Sequence, residues 1–526
     1  MKNLFSNWRH DLPSSLVVFL VALPLCLGVG LASTKVDGIE GMPNIFSGII
    51  AGVVGGIIVG FLSGSRLGVS GPAAGLITIV SAAIITLGSF EAFVLAVVVS
   101  GVIQVIAGFL GAGILGNYFP SSVIKGMLAA IGITLILKEI PHALGYDADF
   151  MGDESFLQPD GHNTFSELIY ALKSLHPGAV TVSILSLIIL ILFDKPFLKK
   201  FAVFKILPGA LFVVVLGIVA NLLFEQIDPS WVISGKHLVK LPVANSLNEL
   251  GSFLTMPNFT HLTNPNVYII GGTIALVGSL ESLLSVEATD KLDPEKRYTP
   301  TNRELKAQGV GNIVSGLLGG LPITQVIVRS SANVNSGGKS KLSTILHGLL
   351  LLLSVIFIPW VLNMIPLASL AAILLLVGYK LSKISLYKQM YKIGFEQFIP
   401  FIATVITVLF TDLLTGIMVG IAFAIFYILR KNYRNNFTVE RSNVNNKPIV
   451  RVFLSEEVTF LNKSGILEFI NKLEKNTELT IDGSNCEKID YDVLEIIENF
   501  KQHGSKLKNI TLHTINIPEA IVSSGH

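Results

Sequence analysis

Apolar runs of about 20 residues recur along this sequence with only short charged connections between them, and this feature leaves few folds open. In such surroundings the backbone N–H and C=O groups must be satisfied within each segment, so the runs read as helices in a bilayer. About fourteen can be marked, near 14–33, 45–62, 69–87, 91–112, 119–138, 177–193, 206–223, 267–288, 307–320, 323–337, 342–358, 364–378, 396–411 and 413–430. Several fall short of the roughly 20 residues a complete span needs. The chain is 51% hydrophobic and 14% charged, where soluble domains carry about a quarter charged residues. The first run follows Lys2 and Arg9 but is long for a signal peptide, holds Pro24 at its middle and precedes many similar runs, so it reads as a first membrane helix. Two cysteines, Cys26 and Cys486, exclude a disulfide framework. A net charge of +2, spread over short clusters, excludes a nucleic-acid partner.

Loop charge tests the segment count, because short cytoplasmic loops are rich in Lys and Arg. With the N-terminus inside, the inside loops carry Arg66; Lys195, Lys199, Lys200 and Lys205; Lys291, Lys296, Arg297, Arg303 and Lys306. Later ones carry Lys339 and Lys341; Lys380, Lys383, Lys388 and Lys392; and Arg430, Lys431 and Arg434. The acidic stretch Tyr146 to Asp160, with Asp147, Asp149, Asp153 and Glu154, falls outside. Fourteen segments with both ends cytoplasmic satisfy this pattern.

IIAGVVGG, Ile49 to Gly56, resembles IVSGLLGG, Ile313 to Gly320, seven segments later. Glycine-rich packing surfaces can look alike. An odd number of segments per repeat, however, turns the second copy upside down, as in inverted-repeat transporters. The third and tenth segments then correspond, and both open on residues poor for a helix, Leu67 to Pro72 and Leu321 to Gln325. They read as half-helices that begin mid-membrane, with Pro72 in a first turn where its missing N–H is harmless. Two such N-termini meeting from opposite sides would attract an anion.

Ionisable residues in spans mark pathways by default. Arg329, at the start of the tenth half-helix, is either a fixed positive charge facing the anion or the partner of a carboxylate elsewhere. Glu281 in GSLESLLS, with Ser285 on its helical face, suits cation coupling, since H⁺ or Na⁺ would offset its charge beside an anion; the other reading is a buried glutamate bonded to a neighbouring span. Pro24 either kinks its helix or lines the site. Lys125 snorkels, Gln104 joins helices, and His347 is packed and hydrogen-bonded. No other metal, cofactor or nucleophile motif is present, which argues against an enzyme.

After Arg434 the composition turns polar. PIVRVFL (Pro448 to Leu454), LTIDGS (Leu479 to Ser484) and ITLHTI read as strands, LNKSGILEFINKLEK and YDVLEIIENFKQHG as amphipathic helices: a small α/β domain. The expected architecture is an all-α polytopic membrane domain, 1–434, with inverted seven-segment repeats at about 10–225 and 264–434, and a small domain at 447–526.

The proline in the first segment, SGSRLGVSGPAAG, FPSSVIKGMLAAIGI, GSLESLLS and GLPITQVIVRSSANVNSGGKSKLS together resemble the SulP inorganic-anion transporters, and IDGSNCEKIDYDVLEII is similar to their STAS domain. The resemblance implies a homodimer in the bacterial inner membrane, with gate and core domains that move relative to each other. It implies an anion held by Gly71, Pro72 and Ala73 with Gln325, Val326, Ile327 and Arg329, and lined by Pro24. It also implies coupling at Glu281, where the Na⁺-linked bicarbonate branch has aspartate, and at Ser285, a position resembling a Na⁺ ligand. The expected function is symport of bicarbonate or sulfate with Na⁺ or H⁺, the tail offering a surface to a cytoplasmic partner. An anion exchanger or channel, a dicarboxylate carrier and a nucleobase–proton symporter share the fold and stand as alternatives.

Overall fold

The computed structural model describes residues 5–34, 46–149, 151, 156, 162–195, 208–241, 243, 249, 251, 253–434, 437–444 and 447–518. Of the loop charges that orient the chain, Lys2, Lys199, Lys200, Lys205, Asp153, Glu154 and Asp160 lie outside these. The chain divides into two compact units, Met1–Ile421 and Ala422–His526.

Every expected apolar segment falls on a helix or on a strand followed by one. In the first unit these are α1 (Trp8–Thr34), α2 (Phe46–Leu62), β1 (Ser70–Pro72), α3 (Ile77–Leu87), α4 (Phe90–Phe109), α5 (Ser121–Leu144), α6 (Thr164–Lys173), α7 (Pro177–Phe193), α8 (Gly209–Ile227) and α9 (Pro265–Leu292). They continue as α10 (Thr301–Leu317), β2 (Ile323–Gln325), α11 (Ile327–Asn335), α12 (Lys341–Phe357), α13 (Leu367–Leu381), α14 (Ile384–Ile393), α15 (Phe395–Phe410) and α16 (Leu413–Arg434), the last running on into the second unit. By length and composition six helices can cross a bilayer: Trp8–Leu31, Phe90–Phe109, Gly209–Ile227, Pro265–Leu292, Leu367–Ile393 and Leu413–Arg430. Ser121–Leu144, at 24 residues, is as long as these, and the other segments are shorter. α6 and α14 went unread because they are short and amphipathic rather than apolar.

Close backbone contact explains the glycine-rich string of the second segment. α2 loosens into a π turn at Gly55–Val59, and a Cβ on Gly56 would lie 2.6 Å from the Cα of Gly348 in α12. Only two glycines permit that approach.

Asp147, in the acidic stretch expected outside, has a buried partner in the structure. It is buried, and its two oxygens accept from His142 Nδ1 and His237 Nδ1, each at 2.5 Å. Burial alone would raise the Asp147 carboxyl, but the two histidine hydrogen bonds outweigh it and hold the group below the ordinary carboxylate range.

In the second unit, β3 (Phe437–Val444), β4 (Lys447–Leu454), β6 (Glu478–Asp482) and β8 (Thr511–Ile515) form a sheet of order β3-β4-β6-β8, after a short β5 (Glu457–Val458) and β7 (Lys488–Ile489) pair is set aside. β3 runs antiparallel to β4; the other pairings in the sheet are parallel. α17 (Lys463–Asn471) and α18 (Tyr491–Asn499) supply Ile466, Ile470, Val493, Ile496 and Ile497 to a core with Val450, Val452, Leu479 and Ile481. Parallel strands joined by helices make the α/β domain expected of the tail. β3 precedes the expected boundary at 447, its polar string TVERSNV giving no strand alternation.

Candidate functional site

The two half-helix segments meet as strands. β1 and β2 pair antiparallel in the register Ser70↔Gln325, Gly71↔Thr324 and Pro72↔Ile323, and all six residues are buried. An inverted repeat yields this arrangement, since its equivalent segments enter from opposite directions. β1 leads through Ala73 and a 3₁₀ turn, Ala74–Leu76, into α3; β2 leads through Val326, the N-cap, into α11. Pro72 therefore ends a strand instead of opening a helix. A two-stranded ribbon has only edges, where proline's missing N–H is tolerated.

Gly71 and Arg329 come together most closely. A Cβ on Gly71 would fall 2.0 Å from an Nη of Arg329, so the guanidinium lies directly against the β1 backbone. Arg329 is in the first turn of α11 and 1% exposed. Its Nε and that Nη have no hydrogen-bond partner, and no ion pair reaches it among the described residues. The carboxylate partner that one reading allowed is absent among the described residues. The Cys26 thiol of α1 is its side-chain neighbour. Pro24, also buried, precedes Cys26 by two residues and so faces the opposite side of α1, about 200° round the helix.

Gln325 reaches away from the ribbon toward α9. Its N–H donates to Ser282 Oγ at 3.2 Å, and its Nε2 donates to Thr289 Oγ1 at 3.0 Å and to the Ser285 carbonyl at 3.4 Å. Ser285 is buried in that contact. Val326 N donates to the Val69 carbonyl at 2.9 Å, and Val69 N to Ser330 Oγ at 3.0 Å, which ties β1 to α11. Ile327 is buried.

Glu281 lies elsewhere on α9, half-buried on the wall of a cavity of about 510 Å³. Ala74, Gly75 and Thr78 of the third segment line it, with Thr134 of α5 and Asp412 and Thr415 at the α15–α16 junction. A Cβ on Gly75 would be 3.2 Å from Glu281 Oε2, so the carboxylate packs on the turn that opens the half-helix. Ser285 does not line this cavity; the helical face shared in sequence is divided between cavity and ribbon. Asp412 was not read as a site residue, because its position beside the cavity follows from the packing of α15 and α16. Among the described residues no three His, Cys, Asp or Glu side chains converge as metal ligands.

Gln104 joins helices as expected, donating to Ser279 Oγ at 3.2 Å and accepting from Asn312 Nδ2 at 2.7 Å. Lys125 is half-buried. His347 is fully buried, but both its ring nitrogens lack hydrogen-bond partners, contrary to the bonded histidine expected.

A bundle with crossed half-helices and an unpaired buried arginine at their junction has the makings of a membrane anion carrier. Comparison with known proteins bears this out: the sulfate permease family matches residues 8–404, and the chain belongs to that family, whose members are transporters and not enzymes. It is 26% identical over 524 residues to "Putative sulfate transporter YvdB" of Bacillus subtilis, covering 97% of this chain and 92% of that one. It is 26% identical over 409 residues to "Bicarbonate transporter BicA" of Picosynechococcus, covering 74% of this chain and 64% of that one. The solved transmembrane domain of a cyanobacterial BicA superposes with a TM-score of 0.54 at 23% identity, over 79% of this chain and 98% of that one. SLC26A9 does so at 0.64 and 14% identity, over 98% and 85%. At these identities the two structures establish the fold. The chain is an integral membrane anion transporter with a small STAS-like α/β domain.

Proposed function

We propose that this protein drives uptake of a small inorganic oxyanion, bicarbonate or sulfate, by symport with Na⁺ or H⁺ through an elevator-like cycle, as a homodimer in a bacterial inner membrane with both termini cytoplasmic. The observation that carries the reading is Arg329: a fully buried guanidinium with unpaired N–H groups is costly unless an anion completes it. It sits in the first turn of α11 against the β1 strand, so the α11 backbone dipole adds to its attraction. Names of relatives on both the sulfate and the bicarbonate side support an inorganic oxyanion over a nucleobase. Glu281 is the coupling carboxylate in this reading. Its place on the cavity wall beside Gly75 lets a proton or Na⁺ reach it and lower the negative charge near the half-helix.

The test is flux into proteoliposomes: labelled bicarbonate, sulfate, a dicarboxylate and uracil, each with and without a Na⁺ or pH gradient. Gradient-driven movement of bicarbonate or sulfate is expected; movement of uracil alone would overturn the reading. Arg329→Ala should raise the anion KM by about tenfold or more, the loss of one charge-assisted contact. Glu281→Gln should abolish the response to the gradient while leaving anion counterflow measurable, and intact gradient-driven uptake would remove Glu281 from coupling.

A further inference from the structure

α10 begins six residues before its expected apolar segment because its first turns carry a buried polar stripe. Glu304, Gln308 and Asn312 recur at intervals of four, which places them on one face of a helix. They are 0%, 0% and 1% exposed. Such groups in a bilayer need specific partners; here Gln308 and Asn312 bond one strand of the ribbon each, and Glu304 bonds Gln308.

Gln308 Nε2 donates to Ser70 Oγ of β1 at 2.8 Å and to Glu304 Oε1 at 2.8 Å. The other Glu304 oxygen accepts from the Ser63 hydroxyl. Ser63 also accepts, at its carbonyl, from Lys341 Nζ. One turn on, Asn312 Oδ1 accepts from Ile323 N at 2.6 Å, while its Nδ2 donates to the Ile323 carbonyl at 3.0 Å and to Gln104 at 2.7 Å. Both main-chain groups of Ile323 are thereby held by one side chain. The residue opposite Ile323 in the ribbon is Pro72, which has no N–H to offer. Asn312 acts as a third strand would at that position.

We infer that Glu304, Gln308 and Asn312 are positioning residues of the anion site: they fix β1 and β2 in the register that lays Gly71 on the Arg329 guanidinium. None of them touches the guanidinium. The inference rests on the reading of Arg329 as the anion's partner, but the placement of the ribbon can be measured without any substrate. Lengthening or loosening β1 would move the Gly71 backbone off the charge and let the guanidinium reorient. What the stripe contributes is hydrogen bonding and not charge, since Glu304 is engaged as an acceptor by an amide and a hydroxyl.

Two measurements on the full-length protein test this. In detergent without substrate, hydrogen–deuterium exchange of the 67–73 peptide should accelerate at least about tenfold in Gln308→Leu and Glu304→Leu, the loss of one hydrogen bond's protection. It should stay near wild type in Glu304→Gln, whose amide still accepts from Gln308 and can donate to Ser63. In proteoliposomes the two leucine variants should raise the anion KM about tenfold with little change in maximal rate, and Ser70→Ala combined with Gln308→Leu should be no worse than the weaker single variant. Unchanged exchange in the leucine variants, or Glu304→Gln exchanging as fast as Glu304→Leu, would overturn the inference. So would equal acceleration over all helices, which would mean general loss of folding. If wild type moves none of the anions, the proposed function falls while the exchange result still decides the positioning role.

Discussion

Arg329 and Gly71 depend on each other in a way neither residue type suggests alone. The guanidinium can lie against β1 only because position 71 has no side chain, and a methyl there would overlap its Nη. Gly71 has no left-handed backbone angle to protect, so alanine is tolerated by the main chain and its effect falls on the arginine. Gly71→Ala should therefore raise the anion KM by about 10- to 100-fold with normal amounts of inserted protein, while Gly272→Ala, where a Cβ meets nothing within 4 Å, should leave uptake unchanged. Initial-rate uptake against anion concentration separates the two. Arg329 was legible in the sequence, as a lone arginine in an apolar stretch stands out. Its contact with Gly71 was not, for it depends on the ribbon's register. Gln325 shows the converse: a polar residue at the right place in sequence whose side chain the packing turns toward Thr289.

At the scale of elements, long apolar helices were readable to within a few residues, whereas β1 and β2 were not readable as strands at all. Three residues are too few to display an alternation, and their pairing joins segments some 250 positions apart. The clamp at the end of α5 was hidden for the same reason. His142, Asp147 and His237 come from a helix end, a loop and a 3₁₀ turn, and His237 is 90 positions from Asp147. Removing the central carboxylate would leave two imidazole donors facing a buried gap, so Asp147→Ala should cost about 3 kcal/mol and lower Tm in detergent by several degrees. Because the folded Asp147 carboxyl is depressed, its contribution is complete above the unfolded value near ~4 and is lost as pH falls through the lower folded value. Wild-type Tm should therefore approach that of Asp147→Ala only in strong acid. A difference that already closes between pH 7 and 5 would rule out the depressed carboxyl as its source.

For the whole molecule, the inverted repeats, the charge pattern of the loops and the polar tail are three separate features of the sequence. The first appears in the structure as the antiparallel ribbon; the second and third bear on which way round the protein sits. In the proposed orientation the loops rich in Lys and Arg lie inside, and the run Arg430, Lys431, Arg434 leads directly into the tail, so the tail is proposed on the cytoplasmic side. The natural chain carries its own reporter for this. Of its two cysteines, Cys26 is fully buried in α1, leaving Cys486 in the second unit as the thiol open to reagents. Partial burial pushes the Cys486 thiol up, and its S–H donates to the Lys488 carbonyl at 3.3 Å, a bond that favours the thiol. The thiolate is the reacting species, so a membrane-impermeant maleimide should label the protein slowly near pH 7 and about tenfold faster for each pH unit gained below the thiol's raised value. Labelling should occur in inside-out vesicles and not in right-side-out cells, and Cys486→Ser should abolish it in the vesicles. Equal labelling of intact cells would place the tail outside and reverse the orientation of every segment.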